Sequence, residues 1–556
     1  MNILISIIVF NYCKYLGRSI INSIQNKENL IEISDIKIKY FYPLVPIFII
    51  GNFVLVINFL APLKYIGIPI LLAGSFMIFY DLKKNRIQKF QKILLIEDVL
   101  VPGILGISTY GAWLGWDTGL YHLPHQLMLR EQTIVFGATN LNLWFGWSGL
   151  LEYVSSLFWL NDNWIAIRLI EIVFFTTFFN IVFYFISQNK NKFYQFSGIA
   201  ILVFGFLDNF GYKGGGNGFY QFLTVGKYDA AVGLMFYLIT LLIINEFIKD
   251  KYETQDFYSI LLLSLFTVQI KQTGAYLLFL LLPYLIILLQ KNKMSFLSIL
   301  LKIKFHIIIL MIWLIKNIII SSCLFFPIEQ TCLPFLSWHE TVQIDFIQNT
   351  MRGLPVTLNS NLSIPQQATD WFNWSKNDQF IINFPITLGN LVLVFFALFK
   401  KVNIKKTSLK NVNYYFVLFL VINFIIWYIS NYGNIRYGYG LWAILTSYIA
   451  FLFKDRQPRY NSKIFKRIFV IIFILTLIQL PRGYSYNSMI SENFTSTAIE
   501  ITKDKGMYFE SKYGWGVYPD NILCWDEYDC KVIDKDVEPF KYLHTIIYYP
   551  DGIASD

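Results

Sequence analysis

One acidic residue, Asp117, is the first candidate for chemistry in this sequence. It follows the apolar run from Val99 to Leu114 and lies in the polar segment WDTGLYHLPH at 116–125. A carboxylate at the mouth of a membrane helix is costly to hold near hydrocarbon, so such a residue is functional by default. General-base chemistry suits it, and a helix N-cap is the structural alternative.

The apolar segments on both sides of Asp117 are expected to be membrane helices. The chain has 556 residues, of which 55% are hydrophobic, 18% are aromatic and 15% are charged. Its apolar runs have the length that crosses a bilayer as helix, and they lack the alternation of a transmembrane barrel. We therefore expect an all-α polytopic membrane protein with about 13 to 14 transmembrane helices.

The apolar runs place thirteen of these helices directly on the sequence. They are near 41–60, 64–80, 95–114, 163–187, 194–210, 230–247, 257–271, 274–289, 305–326, 381–399, 412–430, 437–453 and 466–481. A fourteenth, 2–13, is short, and an uncleaved start helix is one interpretation of it. We divide the chain into N-terminal helices (1–94), a transmembrane core (95–481) and a C-terminal tail (482–556).

Basic residues predict the orientation of these helices. The connections 81–92, 400–410 and 454–467 carry five, five and six lysines and arginines with at most one acid each. Short basic loops stay in the cytoplasm, so 115–162, 211–229, 327–380, 431–436 and the tail are expected on the outer face of a bacterial inner membrane. The net charge of +10 then reflects orientation and anionic lipid, not nucleic-acid binding.

Four of the five cysteines fall on that outer side. Cys323 and Cys332 flank one outer loop, and Cys524 and Cys530 lie close together in the tail. Two local disulfides in an oxidising compartment are the interpretation, with free buried cysteines as the alternative.

The outer segment 115–162 contains two amphipathic pieces, His122–Glu131 and Asn140–Leu160, and aromatic-rich helices of this kind lie along a membrane surface. The tail is expected to form a small folded extracytoplasmic cap. An acid at the start of a first large outer loop, with surface helices behind it, resembles the GT-C superfamily of membrane glycosyltransferases. More closely, DTGLYH at 117–122, WLIKNIIISS at 313–322 leading to Pro327, and NIRYGYG at 434–440 resemble a bacterial GT-C-like family without an assigned substrate.

The resemblance implies a GT-C-like bundle in which Asp117 is the catalytic base toward an acceptor hydroxyl. The donor would be a polyprenyl-phosphate-linked sugar and the acceptor a glycan or lipid of the cell envelope. Many GT-C enzymes carry a paired acid here, whereas Thr118 follows Asp117. A lone acid weakens the case for a bound metal, so no cofactor is predicted and a divalent metal is not favoured.

Sugar transfer also needs cations near the leaving phosphate, because negative charge develops there. Arg436 is the first candidate, since a guanidinium offers a bidentate fork. The others are Lys227, Lys271 and Lys316, and the substrate-binding set is completed by His122 and Asp229.

Each of these residues has a structural alternative. Lys271 and Lys316 could be lysines that snorkel near helix ends, and Lys227 could pair with Asp229. His122 and His125 have the i, i+3 spacing of metal ligands, but Pro124 lies between them, and hydrogen-bonded histidines are the favoured interpretation. Glu152, Arg168 and Glu171 are interpreted as a structural polar network.

Two other function classes stay open. An O-antigen polymerase or ligase would use a later outer loop, which here offers His339, Glu340 and Arg352. A transporter or flippase of lipid-linked glycans would be expected to show inverted repeats, and none is seen in the sequence.

Overall fold

The computed structural model describes a large N-terminal part of the chain and a few later segments. The described residues are 2–24, 32–33, 36–84, 95–111, 118–159, 165–187, 191–207, 228–249, 253–292, 296–339, 366, 369, 447, 462–479, 539–542 and 545–548. The expected spans between 381 and 453 lie outside them.

The described part is mostly helical. Its helices are α1 (Asn2–Ile24), α2 (Leu44–Asn58), α3 (Gly67–Lys84), α4 (Val101–Gly106), α5 (Leu123–Glu131), α6 (Ala138–Leu141), α7 (Leu150–Ser156), α8 (Ile165–Ser187), α9 (Lys192–Leu207), α10 (Asp229–Lys249), α11 (Thr254–Ile270), α12 (Tyr276–Asn292), α13 (Phe296–Lys302), α14 (Lys304–Ser321) and α15 (Ser462–Gln479). Two antiparallel hairpins accompany them, β1 (Glu32–Ile33) with β2 (Ile36–Lys37), and, in the tail, β3 (Pro539–Tyr542) with β4 (Thr545–Tyr548).

Several of these helices suit a membrane. By length and composition, four described helical stretches could cross one: Asn2–Ile24, Ile167–Ser187, Gln272–Gln290 and Lys304–Ser321. Helix α3 exposes large apolar side chains, among them Leu72, Phe76 and Phe79. A row of exposed apolar residues fits lipid better than water. The prediction of a helical membrane protein is thus supported at this coarse level.

Helix α1 is longer than the sequence suggested. It runs to Ile24 rather than ending before the first lysine. The Lys14 ammonium lies 2.5 Å from a carboxylate oxygen of Asp98, and Arg18 Nε lies 3.6 Å from Asp81. Because both cations meet a carboxylate, the apolar helix continues past them instead of stopping.

The expected span 95–114 is not one regular helix. A π-helical turn, Ile96–Leu100, leads into α4, which passes into a 3-10 turn at Ile107–Gly111. Pro102 has no N–H to give to the carbonyl of Asp98, so that carbonyl needs another donor. The Asn11 side chain supplies it at 2.7 Å, which ties α1 to this break.

The outer segment also differs from expectation. The piece 140–160 is broken into α6, a 3-10 turn at Leu143–Trp147, and α7. All seven residues of α7 are buried, so this helix is enclosed by protein rather than lying on a membrane surface. A Cβ on Gly149, just before α7, would collide with the carbonyl oxygen of Ile270, so a glycine is needed for the chain to approach the end of α11 this closely.

The segment 118–159 lies at one end of the helix assembly. Near the start of α2, the Tyr40 hydroxyl donates to Glu97 at 3.2 Å. At the end of α2, the Asn58 amide donates to the Leu129 carbonyl at 3.2 Å. Segment 118–159 therefore meets the end of α2, whereas Glu97 meets the residues just before its start.

Candidate functional site

Two histidines share one buried carboxylate in the segment 118–159. His122 ends the π-helical turn Thr118–His122, His125 lies in the first turn of α5, and Glu152 projects from α7. The Nδ1 atom of His122 lies 2.7 Å from Glu152 Oε1, and that of His125 lies 2.5 Å from Oε2. The i, i+3 spacing puts both rings on one helix face, opposite a single acid.

The charge state of Glu152 fixes the proton positions. Burial raises the pKa of this carboxyl, but the charges of and hydrogen bonds from His125 and His122 outweigh it and lower the pKa to about 2. At neutral pH the carboxylate is therefore ionised and can only accept hydrogen bonds. Each Nδ1 then carries a hydrogen, and each Nε2 is left for other chemistry.

Aromatic rings border the cluster. The Tyr121 ring lies 4.2 Å from the His122 ring, and it stacks at 6.2 Å on Trp144. Trp147, which is half-buried, packs 4.8 Å from Trp144. Flat apolar rings beside a few polar groups are the usual lining of a small-molecule site.

Tyr228 closes another side of the site, just before α10. Its hydroxyl lies 2.5 Å from Ser155 Oγ, and its ring meets His122 edge-on at 6.3 Å. Burial raises the pKa of Tyr228 above its ordinary value, so this phenol stays neutral. It offers a hydrogen bond rather than a charge.

Lys316 supports the site from α14. It is 1% exposed, and its ammonium donates to the Ser148 carbonyl at 2.8 Å and to the Ser148 hydroxyl at 3.0 Å. Ser148 and Gly149 lead directly into α7, which carries Glu152. The snorkelling interpretation is therefore wrong for Lys316, and its observed contacts hold the start of α7 rather than a ligand.

Of the other predicted site residues, three have described side chains: Lys271, Cys323 and Cys332. Asp117, Lys227, Arg436, Cys524 and Cys530 lie outside the described residues, and the Asp229 side chain is not described. Lys271 is described and sits in extended backbone between α11 and the 3-10 turn Gln272–Ala275, partly buried. Cys323 and Cys332 are joined by a disulfide.

The polar network proposed for Glu152, Arg168 and Glu171 is divided. Arg168 pairs with Glu171 within α8, whereas Glu152 pairs with the two histidines. The histidine spacing was visible in the sequence, but the acid that joins the two rings was not. Among the described residues, no group of three or more His, Cys, Asp or Glu is arranged to hold a metal ion.

Comparison with known proteins gives one family. No curated protein and no solved structure matches the chain. A family model described as "Domain of unknown function (DUF8201)" matches residues 1–443. This stretch includes Asp117 and all the residues of the cluster. Because the match covers well over half of the 556 residues, the chain belongs to the DUF8201 family.

Proposed function

We propose that the protein is a membrane glycosyltransferase that moves a sugar from a polyprenyl-phosphate donor to a cell-envelope acceptor. The observation that carries the proposal is the Glu152 cluster with its aromatic border, at one end of a helical membrane assembly. It combines proton-holding groups with flat rings that suit a sugar face. Thr118, at the start of this segment, directly follows Asp117 in the chain.

The reaction needs few parts. The acceptor oxygen forms a bond to the anomeric carbon, while the bond from that carbon to the phosphate oxygen breaks and its electron pair leaves with the phosphate. Asp117 takes the acceptor proton as general base. Arg436, Lys227 and Lys271 are the proposed cations near the leaving phosphate.

The proposal also includes the finer architecture. The helices form a GT-C-like bundle in a bacterial inner membrane, with the site and the C-terminal cap on the extracytoplasmic face. Helix α3 begins beside Leu157 of the segment 118–159 and ends at the basic residues Lys83 and Lys84, which supports this orientation, because short basic loops stay in the cytoplasm. The Cys323–Cys332 disulfide supports it too, since disulfides persist in oxidising compartments.

The test begins with the lipids that copurify with the detergent-extracted protein, identified by mass spectrometry. A polyprenyl-phosphate sugar is expected, and it then serves as a radiolabelled donor in a transfer assay. Asp117→Asn should lower turnover by about 100-fold or more, because the amide cannot accept the acceptor proton.

Glu131→Gln is the matched control. Glu131 is an exposed acid of α5 that lies 3.7 Å from Lys64, and its loss should leave transfer unchanged. Wild-type transfer by Asp117→Asn together with loss of transfer in Arg352→Ala would reject the proposal in favour of a polymerase or ligase.

A further inference from the structure

The Glu152 cluster contains one histidine ring that a ligand can reach. The His122 side chain is 12% exposed, whereas that of His125 is 2% exposed. The His125 ring is enclosed by Phe145 at 5.1 Å and Tyr153 at 6.5 Å. A ligand that approaches the two histidines therefore meets His122.

His122 presents a hydrogen-bond acceptor to that ligand. Its Nδ1 lies 2.7 Å from Glu152 Oε1, and the ionised carboxylate can only accept, so the ring hydrogen is on Nδ1. The other nitrogen, Nε2, keeps its lone pair and lies across the ring from the carboxylate. Within the part of the chain that the structure describes, no group donates a hydrogen bond to this atom. The polar partner of His122 in a ligand is therefore an O–H or N–H donor.

The border of the cluster favours a hydroxyl as that donor. The half-buried Trp147 packs 4.8 Å from Trp144, and the Tyr121 ring lies 4.2 Å from the His122 ring. A sugar fits this combination, because its ring has an apolar C–H face that packs on aromatic rings and carries hydroxyls at its rim. An ammonium would instead seek a carboxylate oxygen, and both Glu152 oxygens are occupied by the histidines.

We infer that the Glu152 cluster is the sugar subsite of this protein, in which His122 Nε2 accepts a hydrogen bond from one hydroxyl of the donor's sugar. Trp147 packs against the apolar face of the sugar ring. His122 is a specificity-determining residue, because a sugar without that hydroxyl leaves Nε2 without its partner. The inference rests on the proposed function for the lipid-linked sugar, but it concerns binding and does not require transfer.

The experiment measures binding to the full-length protein in nanodiscs. The probes are the farnesyl phosphodiesters of glucose, galactose and mannose, and the sugar-free reference is methyl farnesyl phosphodiester, which has the same charge. The tightest of the three sugar probes should bind at least about 10-fold more tightly than the reference. Its monodeoxy forms then locate the hydroxyl, since loss of one hydrogen bond should raise the Kd by about 3- to 10-fold.

Two variants separate a ligand contact from a structural role. In His122→Asn the side-chain amide can still donate to Glu152 from near the Nδ1 position, but no atom remains at the Nε2 position. This variant should bind the parent sugar about 3- to 10-fold more weakly, and the penalty for the sensitive deoxy sugar should vanish. His306→Asn is the matched control and should keep the full penalty, because His306 lies elsewhere on α14, 3.1 Å from the Tyr258 carbonyl.

Two results would overturn the inference as a whole: a sugar that adds no affinity over the reference diester, or the lack of any single-hydroxyl penalty that depends on His122 in folded protein. Farnesyl phosphoethanolamine has an ammonium and no hydroxyl. If it binds more tightly than the reference in a His122-dependent way, the assignment to a hydroxyl is wrong. Failure of the transfer assay with an intact His122-dependent penalty would reject the glycosyltransferase alone. Transfer without that penalty would reject this inference alone.

Discussion

At the scale of single residues, the main feature is a carboxylate whose ionisation is maintained by its neighbours. Glu152 is buried, and burial alone would favour its neutral form. The two histidines reverse that preference through charge and hydrogen bonding. The ionisation of Glu152 therefore contributes to the free energy of unfolding of the protein.

The first consequence is a pH-dependent contribution to stability. Because the pKa of Glu152 is lowered from 4.5 to about 2 in the folded protein, its contribution is present above about pH 4.5 and is lost as the pH falls toward 2. The shift corresponds to roughly 3 kcal/mol. Glu152→Gln should thus lower the thermal midpoint at pH 7, and the gap to the wild type should narrow as the pH falls to about 3.

Thermal unfolding in detergent, followed at several pH values, checks this prediction. Glu131→Gln, which removes an exposed acid of the same segment, should change the midpoint little at any pH. A gap between Glu152→Gln and the wild type that stays constant with pH would show that the charge of Glu152 does not matter.

At the scale of elements, the site depends on how α7 begins. Lys316 of α14 holds the carbonyl of Ser148, and Gly149 brings the chain against the end of α11. The position of Glu152 is thus set by two helices, α11 and α14, that contribute no group to the cluster itself. This arrangement makes Gly149 a packing residue of the site.

Gly149→Ala should disturb the start of α7. The added methyl would meet the Ile270 carbonyl, which is backbone and cannot rotate away, and overpacking of this kind costs about 1 to 3 kcal/mol. Gly103→Ala is the matched control, because the nearest atom to a Cβ there is Ile7 Cδ1 at an ordinary 3.4 Å. Thermal midpoints of the two variants should differ, with Gly149→Ala lower, and equal midpoints would contradict this view of Gly149.

At the scale of the whole molecule, the two ends of the helix assembly differ in chemistry. One end holds the pairs Lys14–Asp98 and Arg18–Asp81, close to Lys83 and Lys84 in the last turn of α3. The other end holds the Glu152 cluster and the Cys323–Cys332 disulfide. Helix α2 separates them by its 15 residues, or about 22 Å at the α-helical rise.

Reporter fusions test the orientation of these ends. An alkaline phosphatase domain fused after Pro481 should be active, because the tail is expected outside, and one fused after Lys406 should be inactive, because that basic loop is expected in the cytoplasm. Enzyme activity in whole cells, normalised to fusion protein on immunoblots, is the measurement. The reverse pattern would place the Glu152 cluster on the cytoplasmic side and remove the proposed donor from its reach.

The sequence by itself determined that this is a helical membrane protein. Apolar runs long enough to span a bilayer must satisfy their backbone hydrogen bonds internally, and helix is the simplest way to do so. It also determined that His122 and His125 share a helix face, because three-residue spacing is a local property. The sequence predicted the Cys323–Cys332 disulfide with free buried cysteines as the alternative, and the structure confirms the bond.

Only the tertiary structure decided which acid these histidines meet. Glu152 lies 30 residues from His122 and 27 from His125, so its partnership depends on how α7 packs against α5. Lys14 likewise finds Asp98 across 84 residues, which lets α1 continue where the sequence suggested an end. Spacing along the chain fixes contacts within a helix, whereas contacts between distant segments depend on packing, and packing assigned Lys316 to Ser148 and Glu152 to His122.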